Sequence, residues 1–300
     1  MRIAVTGTSG QVAQALAARA GRMGGEAVLI GRPDFDLCEP GNAVQVFQAA
    51  APDVIVSAAA YTAVDKAESE PDLAYRINAE GARAVAKAAA MLGVPVIHLS
   101  TDYVFDGSKA AAWTESDRTH PLGVYGASKR AGEEAVLGAT PNAAVLRVSW
   151  VYAPFGANFV RTMLRLAETR ETLSVVADQI GRPTSALDIA DALWQVAARL
   201  SGRPQETALR GLFHLPAGGP AASWADFAEA IFAEAGRRGH KTAQVTRIGT
   251  ADYPTPARRP ANSLMDGSKL AHRYGIILPD WRESLSIVMD QLVGPAKAAG

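Results

Sequence analysis

Tyr125 is followed four residues later by Lys129, a spacing shared by none of the chain's other tyrosines. On a helix two side chains so spaced share one face. A free phenol titrates near ~10, and an ammonium beside it stabilises the phenolate and draws the group toward neutral pH. Tyr125 is therefore a candidate proton donor to a carbonyl oxygen becoming an alkoxide. A second constellation is Gly7-Thr8-Ser9-Gly10-Gln11-Val12-Ala13, placed between a short apolar run and an Ala/Leu-rich one. Such a turn lets backbone approach a nucleotide pyrophosphate, and the free N–H groups of a helix start bind the anion. A plain tight turn is the competing reading. Its place at the first strand–helix junction favours the dinucleotide, and the small Ala13 permits close helix–sheet packing.

Two strand ends add chemistry. Gly31-Arg32-Pro33-Asp34-Phe35-Asp36-Leu37 follows the second strand, where an adenosine ribose is read. An acidic residue there suits a free 2′-hydroxyl and an arginine suits a 2′-phosphate, so Arg32 favours NADPH over a still possible NADH; a solvated loop arginine is the alternative. Leu99-Ser100-Thr101-Asp102-Tyr103 closes the fourth strand, at the edge where ligands of doubly wound sheets sit. Thr101 can hydrogen-bond a substrate carbonyl and align it on Tyr125. A strand-end threonine beside a capping aspartate explains the string equally well.

Other chemistry-bearing residues are read as structural. His98, His120, His214, His240 and His272 lack metal-ligand spacing, and no metal site is expected. His98 reads as a satisfied core residue and Glu133-Glu134 as a solvated helix face. A single cysteine, Cys38, excludes an internal disulfide framework or a cysteine zinc cluster.

These groups need a scaffold. Apolar runs at 2–6, 26–30, 53–57, 94–100 and 143–149 read as strands buried on both faces. Helical stretches at 10–23, 40–50, 71–92 and 125–137 alternate with them, which implies right-handed βαβ units and a parallel, doubly wound α/β sheet. Beyond Trp150 the rhythm loosens. Helices at 159–169, 187–200, 224–236 and 281–292 and a strand at 173–177 suggest a smaller mixed lobe built partly on the sheet edge. Residues 1–150 are thus expected to bind NAD(P) and 151–300 mainly the substrate. Lys+Arg 30 against Asp+Glu 30 argues against duplex nucleic acid or an anionic membrane as partner. The apolar runs are far short of the ~20 residues of a bilayer span, so a cytoplasmic protein is expected. The charge balance should conceal a locally basic cleft formed by Arg32, Lys129, Arg182 and Arg259.

Gly7-x-x-Gly10-x-x-Ala13, Ser100-Thr101 and Tyr125-x-x-x-Lys129, in this order, resemble the extended short-chain dehydrogenase/reductases, with their Rossmann-type fold. Ala58-Ala59-Ala60-Tyr61-Thr62-Ala63-Val64-Asp65, Thr101-Asp102-Tyr103-Val104-Phe105-Asp106-Gly107, Arg147-Val148-Ser149-Trp150, Asp178-Gln179-Ile180-Gly181-Arg182-Pro183-Thr184 and Arg258-Arg259-Pro260 are similar to those of reductases of dTDP-linked 4-keto-6-deoxysugars. The resemblance runs essentially end to end. It implies reduction of the C4 ketone of dTDP-4-dehydro-L-rhamnose by NADPH or NADH in dTDP-L-rhamnose synthesis, with Thr101, Tyr125 and Lys129 catalytic. It further implies that Gly10, Gln11, Val12, Asp36, Leu37, Ala60, Tyr61, Thr62 and Lys129 bind the cofactor, a set to which the residue readings add Gly7, Arg32, Ala59 and Tyr125. Thr101, Asp102 and Trp150 would meet the nucleotide sugar. To these we add Arg182 and Arg259, because an arginine fork suits a diphosphate; a surface arginine beside proline is the alternative. Some relatives form a magnesium-bridged dimer through glutamates, where this chain has Ala15 and Leu187; no such metal is expected, and monomer or homodimer stays open. Reduction of another nucleotide-linked 4-keto-6-deoxysugar, or service as a non-catalytic dinucleotide-binding regulatory subunit, are the alternatives.

Overall fold

A computed structural model describes residues 1–296. Strands β1 (Arg2–Thr6), β2 (Glu26–Ile30), β3 (Val54–Ser57), β4 (Val96–Thr101) and β5 (Ala143–Val148) join the strand Gly211–His214 in one 6-stranded sheet. All its pairings are parallel. Across the sheet the order is Gly211–His214, β5, β4, β3, β1, β2. The chain thus reverses its direction of travel at β1, between β2 and β3, and a crevice opens at the carboxyl ends there.

Side chains alternate across each strand. Ile3 and Val5 face one core cluster with α1 (Gln11–Ala20), whereas Ala4 faces the other, with α2 (Ala43–Ala50). Short helices α3 (Val64–Ala67) and α4 (Pro71–Tyr75) lead into α5 (Ala82–Leu92), and α6 (Val124–Ala139) follows β4. The single helix expected over 71–92 is interrupted by a π-helical segment, Arg76–Gly81. Widened turns of this kind recur at functional sites. Here the segment carries buried Asn78, whose amide accepts from Tyr61 N at 2.8 Å and donates to Ser128 Oγ at 2.9 Å.

The second half contributes α7 (Phe159–Ala167), α8 (Ala186–Gly202), α9 (Trp224–Arg237), α10 (Ser268–Tyr274) and α11 (Trp281–Val293). Helix α8 packs against α1, with Ala15 and Leu187 both in the core. Among the described residues three two-stranded ladders complete this half. One of them pairs Thr172–Val176 with Gln244–Ile248. The sheet strand Gly211–His214, the strand Gln244–Ile248 and α10 carry too short or too polar a pattern to stand out in sequence. Among the described residues no helix is long and apolar enough to cross a membrane.

Helix α6 approaches its neighbours through glycine. A Cβ on Gly126 would collide with the Tyr103 carbonyl oxygen, and one on Gly132 with that of Asn78. Backbone carbonyls cannot yield as a flexible side chain can. Gly132→Ala should therefore cost about 1–3 kcal/mol, read as a lower midpoint of thermal unfolding. An unchanged midpoint would contradict this close approach.

Candidate active site

The crevice at the switch point is a cleft of about 950 Å³. Gly7 leaves β1 at φ +92°, a left-handed conformation that glycine adopts without penalty, and a Cβ there would press on Ala59 at 3.2 Å. The opposite wall is fixed to the same turn, because Ala58 N and Ala59 N both donate to Thr6 Oγ1 at 2.9 Å. Gly10 precedes α1 with no side-chain cap on the helix N–H groups, and the space where its Cβ would lie is open. An uncapped helix start beside open space suits an anion. Arg32, exposed at the rim, lines the same cleft as Asp36, Leu37, Ala60 and Thr62. Asp36 Oδ1 accepts from Cys38 N at 2.9 Å, which fixes the turn after Arg32.

Thr101, Asp102, Tyr125 and Lys129 form the far wall. The Thr101 hydroxyl donates to Asp102 Oδ1 at 3.0 Å and accepts from Tyr103 N at 3.2 Å. Asp102 is 2% exposed, and its Oδ2 has no hydrogen-bond partner among the described residues. Burial pushes this carboxyl up to about 6, against the pull of the hydroxyls around it. Tyr125 stands edge-on to Tyr103, ring centroids 5.4 Å apart. Lys129 is 3% exposed; it donates to Leu99 O at 2.6 Å, and its Nζ is 3.4 Å from His98 Nε2. Burial lowers the lysine to about 8, although Glu133 works the other way.

Contrary to what the spacing alone suggests, Lys129 does not draw the Tyr125 phenol toward neutral pH. Desolvation at the half-buried Tyr125 raises it to about 12; the Thr101 hydroxyl opposes the shift and Asp102 adds to it. The lysine hydrogen-bonds toward β4, to Leu99 and His98, so desolvation dominates the phenol. His98 is buried at 1% exposure with Nδ1 3.1 Å from Ser57 Oγ, as a core histidine should be.

Glu133 also departs from its reading as a solvated residue. Glu134 remains exposed, but Glu133 is 1% exposed and accepts from Ser100 Oγ at 2.6 Å. Arg147 Nε and Nη2 grip its two oxygens, each at 2.7 Å. Helix rotation decides the difference, since Glu133 is one turn beyond Lys129 on the sheet-facing side. A signal for this pair existed: Arg147 is a charge within an otherwise apolar buried run, which calls for a buried partner. Asn78, by contrast, had no sequence signal, because the π-helical segment that turns it inward carries none.

Three other expected site residues stand apart. The Tyr61 hydroxyl donates to Glu70 Oε2 at 2.7 Å, and this side chain does not line the cleft although its neighbours do. Arg259 is held by Asp65 through Nη1 at 2.9 Å and Nη2 at 2.7 Å, and also donates to Thr255 Oγ1 and Ala257 O. Arg182 follows Gly181, whose Cα packs against the Trp150 indole, and is likewise not among the cleft-lining side chains. The four expected cations therefore do not converge: Arg32 and Lys129 line the cleft, whereas a carboxylate in Arg259's own neighbourhood already satisfies that fork. Trp150 does line it, at φ +48°, with its ring stacked 3.7 Å from that of Trp224. A non-glycine residue there is strained, and the stack holds it in place. Trp224, the first residue of α9, has no local motif to reveal this role.

The parallel sheet, the glycine turn and the cleft at the switch point define a Rossmann-type α/β protein. Residues 1–293 match the family model described as the RmlD substrate binding domain, and the chain belongs to that family. It is 54% identical over 284 residues to the dTDP-4-dehydrorhamnose reductase of Sinorhizobium fredii, covering 95% of each chain. The crystal structure of a dTDP-4-dehydrorhamnose reductase from Clostridium acetobutylicum superposes with a TM-score of 0.89 at 36% identity, over 97% of this chain and 99% of the other. The Bacillus anthracis enzyme of the same name, solved in complex with NADP, gives 0.88 at 35% identity over 96% and 98%.

Asp102 supplies a test of the buried wall. A carboxyl whose folded pKa, about 6, exceeds its ordinary 3.8 favours the folded state only in its acid form. That contribution is complete below pH 3.8 and is lost as the pH rises through 6. Asp102→Asn cannot ionise, so its stability relative to the parent should grow across this window by roughly 2–3 kcal/mol. Chemical denaturation at pH 4 and pH 8 measures it; a difference independent of pH would contradict the buried, under-bonded carboxyl.

Proposed function

We propose that this protein is a dTDP-4-dehydrorhamnose reductase, which reduces the C4 ketone of dTDP-4-dehydro-L-rhamnose to the alcohol of dTDP-L-rhamnose with NADPH. The observation that carries this reading is a single cleft walled on one side by the uncapped glycine turn and on the other by Thr101, Tyr125 and Lys129. NADPH, when bound, supplies the hydride. The residues present fit it: Gly7, Gly10, Gln11 and Val12 offer backbone to the pyrophosphate, and Arg32 offers a cation for a 2′-phosphate. Asp36, Leu37, Ala59, Ala60 and Thr62 line the remainder of that side.

Tyr125 donates the proton to the oxygen on C4. At neutral pH the phenol carries its proton, but burial makes it a weaker acid than a free phenol, so donation depends on its placement against the carbonyl oxygen. Thr101 aligns the carbonyl by hydrogen bonding, Lys129 holds the nicotinamide ribose, and Asp102 and Trp150 meet the sugar. Most of the acceleration comes from holding these groups in place. The protein acts in the cytoplasm as a monomer or homodimer, without nucleic acid or membrane as a partner.

Purified protein supplied with the keto sugar should consume NADPH, and Tyr125→Phe should lower kcat by at least about 10²-fold while still binding NADPH. Absence of turnover in the parent protein overturns the reading. Unimpaired turnover in the variant removes Tyr125 from the mechanism.

A further inference from the structure

Lys129 and Glu133 are one turn apart on α6, both buried, and yet make no ion pair with each other. A lysine and a glutamate so spaced ordinarily attract, and burial strengthens the attraction. Glu133 is already engaged. Oε1 accepts from Ser100 Oγ and Arg147 Nε, and Oε2 from Arg147 Nη2. Arg147 is fixed from two further sides, by His214 Nε2 at 3.3 Å from Nη1 and by the Phe105 ring 4.9 Å from Cζ. Sheet register brings these partners together, since Ser100 of β4 and His214 both stand beside Arg147 of β5. Lys129 meanwhile finds, among the described residues, only neutral acceptors at hydrogen-bond range, Leu99 O and the buried imidazole of His98.

We infer that Arg147 is a positioning residue for the candidate active site: by holding both oxygens of Glu133 it keeps that anion from pairing with Lys129 and leaves the ammonium charge to the cleft. This rests on the reading of Lys129 given above. The titratable or charged groups around Lys129 are Tyr125 and Glu133 on its own helix, His98 on β4, Asp102 after β4 and, behind Glu133, Arg147 on β5. The π-helical segment presents uncharged Asn78 to Ser128. Arg130 is 4.0 Å from Glu133 Oε2 but is half-exposed and occupied by Glu134 at 2.8 Å. It is therefore a weak substitute for Arg147.

The test uses the full-length protein, parent and variants. Lys129 is titrated by NMR of ¹³Cε-labelled lysine, its signal assigned through Lys129→Met, and the alkaline limb of kcat/KM for NADPH is recorded in parallel. In Arg147→Met, Glu133 is released toward Lys129, and both the titration and the limb should move up by about a pH unit or more. In the double variant Arg147→Met with Glu133→Gln the anion is gone, and both should return toward the parent values. A merely structural role predicts unmoved titrations, or a double variant shifted as far as the single; either outcome overturns the inference. Should Arg147→Met not fold, Arg147→Lys decides: it keeps the positive charge but loses the two-point grip on Glu133, so the Lys129 titration should still move up, and an unmoved titration overturns the inference. Loss of the whole reading looks different, because the parent protein itself would then fail to turn over the keto sugar.

Discussion

Helix α6 lies against the π-helical segment and the loop after β4 at two points where only a hydrogen atom fits, Gly126 beneath Tyr103 and Gly132 beneath Asn78. Everything on the far wall of the cleft depends on that approach. It brings Lys129 within reach of the Leu99 carbonyl, Glu133 within reach of Ser100 and Arg147, and Tyr125 to the Thr101 edge. Polar side chains in β4 and β5 answer it. His98 and Ser100 point toward α6, and Arg147 does so from the neighbouring strand, while Ile97, Leu99, Leu146 and Val148 fill the core on the other side. The sheet face toward α6 thus carries buried electrostatics beside its packing, and the opposite face carries packing.

Burial then sets the protonation states. Away from water the charged form of each group is penalised, so Tyr125 and Asp102 are raised and Lys129 is lowered. The resulting wall holds a neutral acid, a titratable carboxyl and an ammonium whose nearest anion is already matched. A chain with equal positive and negative totals achieves this through local pairing. Arg259 goes to Asp65 and Arg147 to Glu133, which among the described residues leaves Arg32 and Lys129 as the cations lining the cleft.

Much of this arrangement is written locally in the sequence. The first five strands, the glycine turn, the strand-end threonine and the tyrosine–lysine pair follow from apolar runs, helix periodicity and the demands of a pyrophosphate and a ketone. Each of those signals is local. What escaped depends on relations across the fold: the π-helical segment that turns Asn78 inward, the strand Gly211–His214 that closes the sheet edge, and the rotation that buries Glu133 while exposing Glu134. Arginine forks suit diphosphates, and from sequence that chemistry points Arg182 and Arg259 toward the cleft. The fork geometry of Arg259 serves a carboxylate of its own chain instead.

The central claim is that this cleft brings a nicotinamide hydride and the C4 carbon of a nucleotide-linked keto sugar into direct contact. Isotope transfer tests it most directly. With NADPH deuterated at the transferable position of the nicotinamide C4, NMR of the product should show deuterium at C4 of dTDP-L-rhamnose and at no other carbon. Product without deuterium, or deuterium at C4 of the epimeric 6-deoxy-L-talose sugar, would contradict this hydride transfer.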